Sequence, residues 1–186
     1  TVKKFSLQQT EKRMRQIYEN LPVADQSIVE SSESLPMISV IMGVYNQQDI
    51  DAFEKSVQSV LAQTYKNFEF IIYNDGSSIK EVNTYIYGLK NRDTRIHVIG
   101  SETNHGLGYA LNRCIDIARG KYLARMDADD ISYPTRFEEE INFMETHPEY
   151  MWCGSNCKLM DDDGIWGEGV RPENPGQPII LGVMII

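Results

Sequence analysis

Residues 37–45 form an apolar, β-favouring run; Ile50, Phe53, Val57, Val60 and Leu61 then recur at helical spacing, and residues 68–73 are again continuously apolar. This reads as β, α, β. The alternation continues with a helix over 80–89, a strand over 95–99, and a helix carrying Leu107, Ala110, Leu111, Cys114, Ile117 and Ala118, for which Gly120 is the expected C-terminal stop. A fourth strand is expected over 121–126. Pro134, a residue favoured in a first helical turn, opens a helix through Phe137, Ile141 and Met144 to about His147. Residues 151–160 read as a fifth strand, and 161–164 as a turn toward Ile165 and Trp166. Strands apolar on both faces and alternating with helices imply a parallel sheet covered on both sides.

The ends of the chain follow other patterns. Phe5, Leu7, Met14, Ile17 and Tyr18 lie among charges in residues 1–20 and suggest an amphipathic helix that Pro22 ends; the serine-rich stretch 27–36 reads as a linker. The expected division is therefore an N-terminal extension and linker over 1–34 and one α/β domain over 35–186. Residues 178–186 are almost wholly apolar and would leave an exposed edge if nothing covered them.

Composition narrows the classes of function. A chain of 186 residues with a formal net charge of -9 and 41% hydrophobic residues has a globular profile, and nucleic acid, whose phosphates want a basic face, is not an expected partner. An acidic protein can still take an anionic nucleotide if a divalent cation supplies the positive charge. No apolar run approaches the ~20 residues of a bilayer span, and the first residues lack a signal pattern. The expected location is cytoplasmic, with peripheral association at the inner face of the membrane left open. Cys114, Cys153 and Cys157 are too few for a disulfide framework, and no second Cys or His pair completes a zinc site with Cys153 and Cys157. Buried, reduced thiols are expected.

In open parallel sheets the ligand lies at the carboxyl ends of the strands. Those ends hold Tyr45-Asn46, Asn74-Asp75-Gly76-Ser77-Ser78, Asn104-His105-Gly106 and Asp127-Ala128-Asp129-Asp130. Asp127 and Asp129 follow an apolar strand, where carboxylates are costly unless paired, and a hard divalent cation is a natural partner; a solvated acidic turn is the other reading. An EF-hand is ruled out because Ile131 and Ser132 stand where an oxygen ligand and Gly belong. No G-x-G-x-x-G or P-loop follows the first strand. Asn104-His105-Gly106-Leu107-Gly108 suits either a phosphate cradle at a helix start or a structural cap.

Taken together, the blocks Ile38-Ser39-Val40-Ile41-Met42-Gly43-Val44-Tyr45-Asn46, Ser59-Val60-Leu61-Ala62-Gln63-Thr64 and Phe68 to Ser77 resemble successive motifs of glycosyltransferase family 2. Asn104-His105-Gly106 with Ala110 and Asn112, Ala118-Arg119-Gly120-Lys121-Tyr122, Arg125 to Asp130, and Pro134 with Arg136 follow in the family's order. The resemblance covers about residues 36–164. It implies a GT-A fold, α/β with a Rossmann-like, mostly parallel sheet flanked by helices, and an inverting transfer of sugar from a nucleotide donor, UDP-type by expectation, to a saccharide or lipid-linked acceptor, as in cell-surface polysaccharide synthesis.

It also implies roles. Asp75 would accept the uracil N–H, Val44 and Tyr45 would flank base and ribose, and Asn46, Asn104, Gly106, Arg125, Asp127 and Ala128 would complete the donor site. Asp127 and Asp129 would hold Mn²⁺ or Mg²⁺ against the diphosphate. For Lys121 and Arg136 a role and a plain surface charge both stay open. The general base of this family lies well downstream; the run Asp161 to Asp163 reads as a turn and is not assigned to it, so the acceptor side is expected to be missing or incomplete. Two rivals remain. A sugar nucleotidyltransferase would want a Gly-rich, basic loop after the first strand, and residues 43–48 hold neither a second Gly nor a Lys or Arg. A non-catalytic nucleotide-binding module would keep the donor residues and lack the base.

Overall fold

Strand β1 (Ile38–Val44) runs down the middle of the sheet, beside β2 (Phe68–Asp75) on one flank and β4 (Tyr122–Arg125) on the other; β3 (Ile96–Ser101) lies beyond β2. All these pairings are parallel, with Ile38 opposite both Phe68 and Tyr122. The computed structural model describes residues 35–161, 164–169 and 183–185, so the helix and linker expected over 1–34 lie outside the described residues. Helix α1 (Ile50–Leu61) links β1 to β2, α2 (Lys80–Leu89) links β2 to β3, α3 (Leu107–Ile115) links β3 to β4, and α4 (Arg136–Thr146) follows β4.

The strand period of two sorts the core into two layers. Ile38, Val40, Met42 and Val44 of β1 face Phe53, Val57 and Val60 of α1, Val82 and Ile86 of α2, and Phe137, Ile141 and Met144 of α4. Ile41, Ile71 and Tyr73 point to the other face, against Ala110 and Cys114 of α3. The mostly parallel, two-sided sheet expected from the apolar runs is what forms. Asp49 caps α1, its carboxylate accepting the Ala52 N–H at 2.8 Å.

Four expectations change. Helix α3 ends at Ile115, so Gly120 is not its stop. A Cβ at Gly120 would lie 2.4 Å from the Ser39 backbone nitrogen, and glycine is needed there for close approach to β1. Pro134 precedes the Thr135 cap rather than opening the helix, and its carbonyl accepts the Thr64 N–H. The single strand expected over 151–160 is two, β5 (Trp152–Gly154) in the main sheet and β6 (Cys157–Asp161), which pairs with β7 (Gly164–Gly169) as a separate hairpin. Within the apolar segment 178–186, β8 (Val183–Ile185) is inserted antiparallel between β4 and β5. That part of the segment is inside the sheet and not an uncovered edge. Burial pushes the Cys114 thiol up to about 12, consistent with an inert core cysteine.

At the end of the sheet remote from the polar loops, Glu69 is 3% exposed. Its carboxylate accepts hydrogen bonds from Ser39 Oγ at 2.6 Å, Arg119 N–H at 2.7 Å and Arg119 Nε at 3.1 Å. Burial alone would raise this carboxyl, but the bonds from Ser39 and Arg119 outweigh it and hold the pKa below the ordinary 4.5. A carboxylate whose folded pKa is lowered adds stability above its unfolded value, and that stability is lost as pH falls through the folded pKa. Glu69→Gln is therefore expected to cost about 1–3 kcal/mol at neutral pH. It should also flatten the loss of stability on acidification below about pH 4.5. Urea denaturation of parent and variant at neutral and acid pH measures both effects.

Candidate functional site

The carboxyl ends of β1, β2 and β4 and the loop after β3 meet along one edge, as the parallel topology requires. After β1 the chain turns through Asn46, the one non-glycine residue with positive φ among the described residues, at 46°. Asparagine tolerates this region because its short side chain can bond locally. Here it bonds across to the next loop. Asn46 Oδ1 accepts the N–H groups of Ser78 and Ile79 at 2.8 and 3.3 Å, and the Asn46 N–H donates to Ser77 Oγ at 3.0 Å. The loops after β1 and β2 are thereby one unit.

Asp75, at the end of β2, is 2% exposed. Its carboxylate accepts the His105 N–H at 3.0 Å, the Gly106 N–H at 2.7 Å and Asn104 Nδ2 at 3.0 Å. Gly106 is the N-cap of α3 at a φ of 90°. The N–H groups of His105 and Gly106, which lead into this helix, therefore meet an anion that belongs to the protein, the Asp75 carboxylate. Gly76, at a φ of 72°, passes so near the loop that a Cβ would lie 2.4 Å from the Thr103 carbonyl carbon.

The loop after β4 is held from behind. Gln63, fully buried at the end of α1, donates through Nε2 to the Tyr133 carbonyl at 2.7 Å and to Ser132 Oγ at 3.1 Å, and its Oε1 accepts the Phe137 N–H at 3.0 Å. Ser56 Oγ donates to the Asp127 carbonyl at 2.9 Å. Arg125 Nη2 donates to both oxygens of Asp127 at 2.8 Å. Arg136 is 9% exposed, donating from Nε to Glu140 Oε1 at 3.1 Å and from Nη2 to the Arg125 carbonyl at 3.2 Å. Arg136 is thus a buried brace for the end of β4 and not a surface charge, whereas Lys121 is exposed and paired with Glu145. Gln63 and Arg136 are the supports that sequence reasoning left without a role.

Against this fixed frame Asp129 is exposed and, among the described residues, has no hydrogen-bond or ion-pair partner. Asp130, exposed as a residue, has a partly desolvated carboxyl whose pKa is raised by that burial and by the charges of Asp127 and Asp129. Two cavities meet at the acidic pair. One, of about 300 Å³, is lined by Val44, Tyr45, Asn46, Asp127, Ala128 and Asp129. The other, of about 900 Å³, shares Asp127 and Asp129 and extends past Arg125 and Tyr133 to Lys158 and Ile165 of the β6–β7 hairpin. The structure thus gathers six of the sequence-predicted residues in the smaller cavity and places Arg125 in the larger. Asp75, Asn104 and Gly106 line neither and form the network beside them.

Among the described residues no group of three or more His, Cys, Asp or Glu stands ready to cage a metal. One free carboxylate and one arginine-paired carboxylate fit an ion that takes most of its oxygens from water and a ligand's phosphates, as Mg²⁺ commonly does. No helix among the described residues is long and apolar enough to cross a membrane.

Comparison with known proteins is consistent with this geometry. The chain is 36% identical over 140 residues to EpsE of Bacillus subtilis, an alignment covering 75% of this chain and 50% of that protein. It is 37% identical over 133 residues, 72% of this chain and 51% of the other, to the Escherichia coli UDP-Glc:alpha-D-GlcNAc-diphosphoundecaprenol beta-1,3-glucosyltransferase WfaP. The chain spans about half the length of these curated relatives. Among solved structures, the mannosyltransferase PcManGT from Pyrobaculum calidifontis, in complex with GDP-Man and Mn²⁺, superposes with a TM-score of 0.58 at 15% identity, over 81% of this chain and 43% of that one. This likeness bears out the GT-A fold. The family model for glycosyl transferase family 2 matches residues 39–179, so the chain belongs to that family.

Proposed function

We propose that this chain carries the donor site of a metal-dependent, inverting glycosyltransferase that moves a sugar from a UDP-type donor to a saccharide or lipid-linked acceptor. The observation that carries the reading is the free carboxylate of Asp129 beside the Arg125-paired Asp127, on the wall of a cavity built by the ends of β1 and β4. Family membership supports the reaction class, and the relative WfaP, named for a UDP-glucose donor and a diphosphoundecaprenol-linked acceptor, supports the substrate classes. PcManGT, crystallised with Mn²⁺, supports the choice of cation.

In this reading Tyr45, exposed at the mouth of the smaller cavity, and the backbone of Val44 flank base and ribose. Asp75, expected to accept the uracil N–H directly, has its buried carboxylate engaged by Asn104, His105 and Gly106, so in this reading it acts on the base side through the loop it organises, and Asn46 keeps the loop after β2 joined to β1. Asp129, with Asp127, would hold Mn²⁺ or Mg²⁺, which when bound supplies positive charge to the diphosphate as it departs. The acceptor hydroxyl oxygen forms the new bond to the anomeric carbon on the face opposite the leaving group. The bond from that carbon to the diphosphate oxygen breaks, and its electron pair leaves on the diphosphate. The hydroxyl proton passes to a general base, to which no described residue is assigned.

Two outcomes test the donor site by calorimetry. UDP should bind the parent at least about tenfold more tightly with Mn²⁺ than in EDTA, roughly 1.4 kcal/mol, and Asp129→Ala should remove that difference while the circular dichroism spectrum is kept. Equal affinity of the parent under both conditions would refute the metal role. Asp75→Ala should weaken UDP binding and, because it strands the N–H groups of His105 and Gly106, should also lower stability by about 1–3 kcal/mol. Unchanged UDP affinity in that variant would remove Asp75 from the donor site.

A further inference from the structure

The larger cavity has a composition of its own. Its outer wall is apolar and open to solvent: Tyr133 is 54% exposed, Ile131 48%, Leu159 39% and Ile165 60%. The backbone carbonyl of Tyr133 is fixed by the buried Gln63 amide, so its aromatic ring is presented from a rigid support. Lys158 Nζ stands 5.9 Å from the centre of that ring and brings N–H donors to the same wall. Asp130 and Glu139 line the same cavity and supply acceptors.

We propose, resting on the donor-site reading above, that this cavity is the acceptor site, and that Tyr133 is the platform on which an uncharged sugar ring of the acceptor stacks. The negative face of an aromatic ring attracts the weakly positive C–H edges of an apolar surface, and a pyranose presents one such face while its rim carries hydroxyls that need both donors and acceptors. An apolar wall flanked by a few polar groups is the usual make-up of a small-molecule site. At about 900 Å³ the cavity has room for more than one sugar ring, and because it shares Asp127 and Asp129 with the smaller cavity, an acceptor here would face the donor's sugar end.

Charge selects the class of sugar. Arg125 is spent on Asp127 and Arg136 on Glu140, which leaves Asp129, Asp130 and Glu139 facing the single Lys158. A cation shared with the donor would neutralise Asp129, but Asp130 and Glu139 remain. A uronic acid or a phosphorylated ring would meet these carboxylates, and like-charge juxtaposition is a strong means of rejecting a ligand.

The test uses the chain loaded with UDP and Mn²⁺, and the chain alone, with methyl β-glucoside and methyl β-glucuronide as probes in saturation-transfer NMR. The parent is expected to bind the neutral glucoside and to bind the glucuronide about tenfold more weakly. Tyr133→Ala should lose the glucoside signal, Tyr133→Phe should keep it, and both should retain the parent's UDP affinity. Asp130→Asn combined with Glu139→Gln should narrow the gap between the two probes. Glucoside binding by Tyr133→Ala equal to the parent's, absence of glucoside binding by the parent, or equal binding of both probes by the parent would each overturn the proposal. Loss of UDP binding by the parent would instead refute the donor-site reading, and glycoside binding to the chain alone would still be read directly.

Discussion

One buried amide fixes the geometry on which the site depends. Gln63 sits at the end of α1 with no access to solvent, and its hydrogen-bonding groups go to the loop after β4 and to the first turn of α4. An amide buried without partners costs about 1–3 kcal/mol for each unmet group. The loop therefore cannot drift from α1 without exposing that cost at several atoms together. Ser59 Oγ accepts the Ser132 N–H and Ser56 donates to the Asp127 carbonyl, so the same helix end fixes the loop at both ends. The block around residues 59–64 is the scaffold of the acidic loop.

The same economy governs the other loops. Asp75 closes the start of α3 and Asn46 closes the loop after β2, so most polar side chains at this edge are committed to one another. Commitment is what makes a site rigid: partners locked by packing and hydrogen bonds hold the remaining groups near a working geometry. Asp129 is left over, exposed and unpaired among the described residues, while its neighbour Asp127 is already neutralised by Arg125. The loop thus holds one satisfied and one free carboxylate side by side.

The sheet and its covering helices were legible in the sequence because each apolar run is local, and a change of period from two to 3.6 is written over a dozen residues at a time. The positions of Gly120, Pro134 and Arg136 were misread or left open for a shared reason. Gly120 answers to the backbone of Ser39, Pro134 to Thr64, and Arg136 to Arg125 and Glu140, and of these contacts only the last lies at a spacing that the linear pattern displays. Strand β8 is the extreme case. Residues 183–185 were visibly apolar, yet nothing local says that they enter antiparallel between β4 and β5. At the site, spacing located the carboxylates but could not tell which of them would be buried and bonded, as Asp75 is, and which would be free, as Asp129 is.

The two ends of the sheet divide the electrostatic work. At the end remote from the loops, Glu69 is matched by Arg119 and Ser39, a closed arrangement that serves stability. At the loop end the balance is left unmet: Asp129 and Asp130 lie together with no basic residue spent on Asp129, in a chain already carrying a net charge of -9. Such an arrangement is unfavourable for the isolated chain, because like charges brought together repel; burial first, and then the charges of Asp127 and Asp129, raise the pKa of Asp130. In the proposed reading a divalent cation would relieve this repulsion, and an ion held by so few protein oxygens would have coordination positions to fill from a ligand's phosphates. On that reading, incomplete charge compensation at one edge would be what lets an acidic protein take an anionic donor, the cation joining two negative partners.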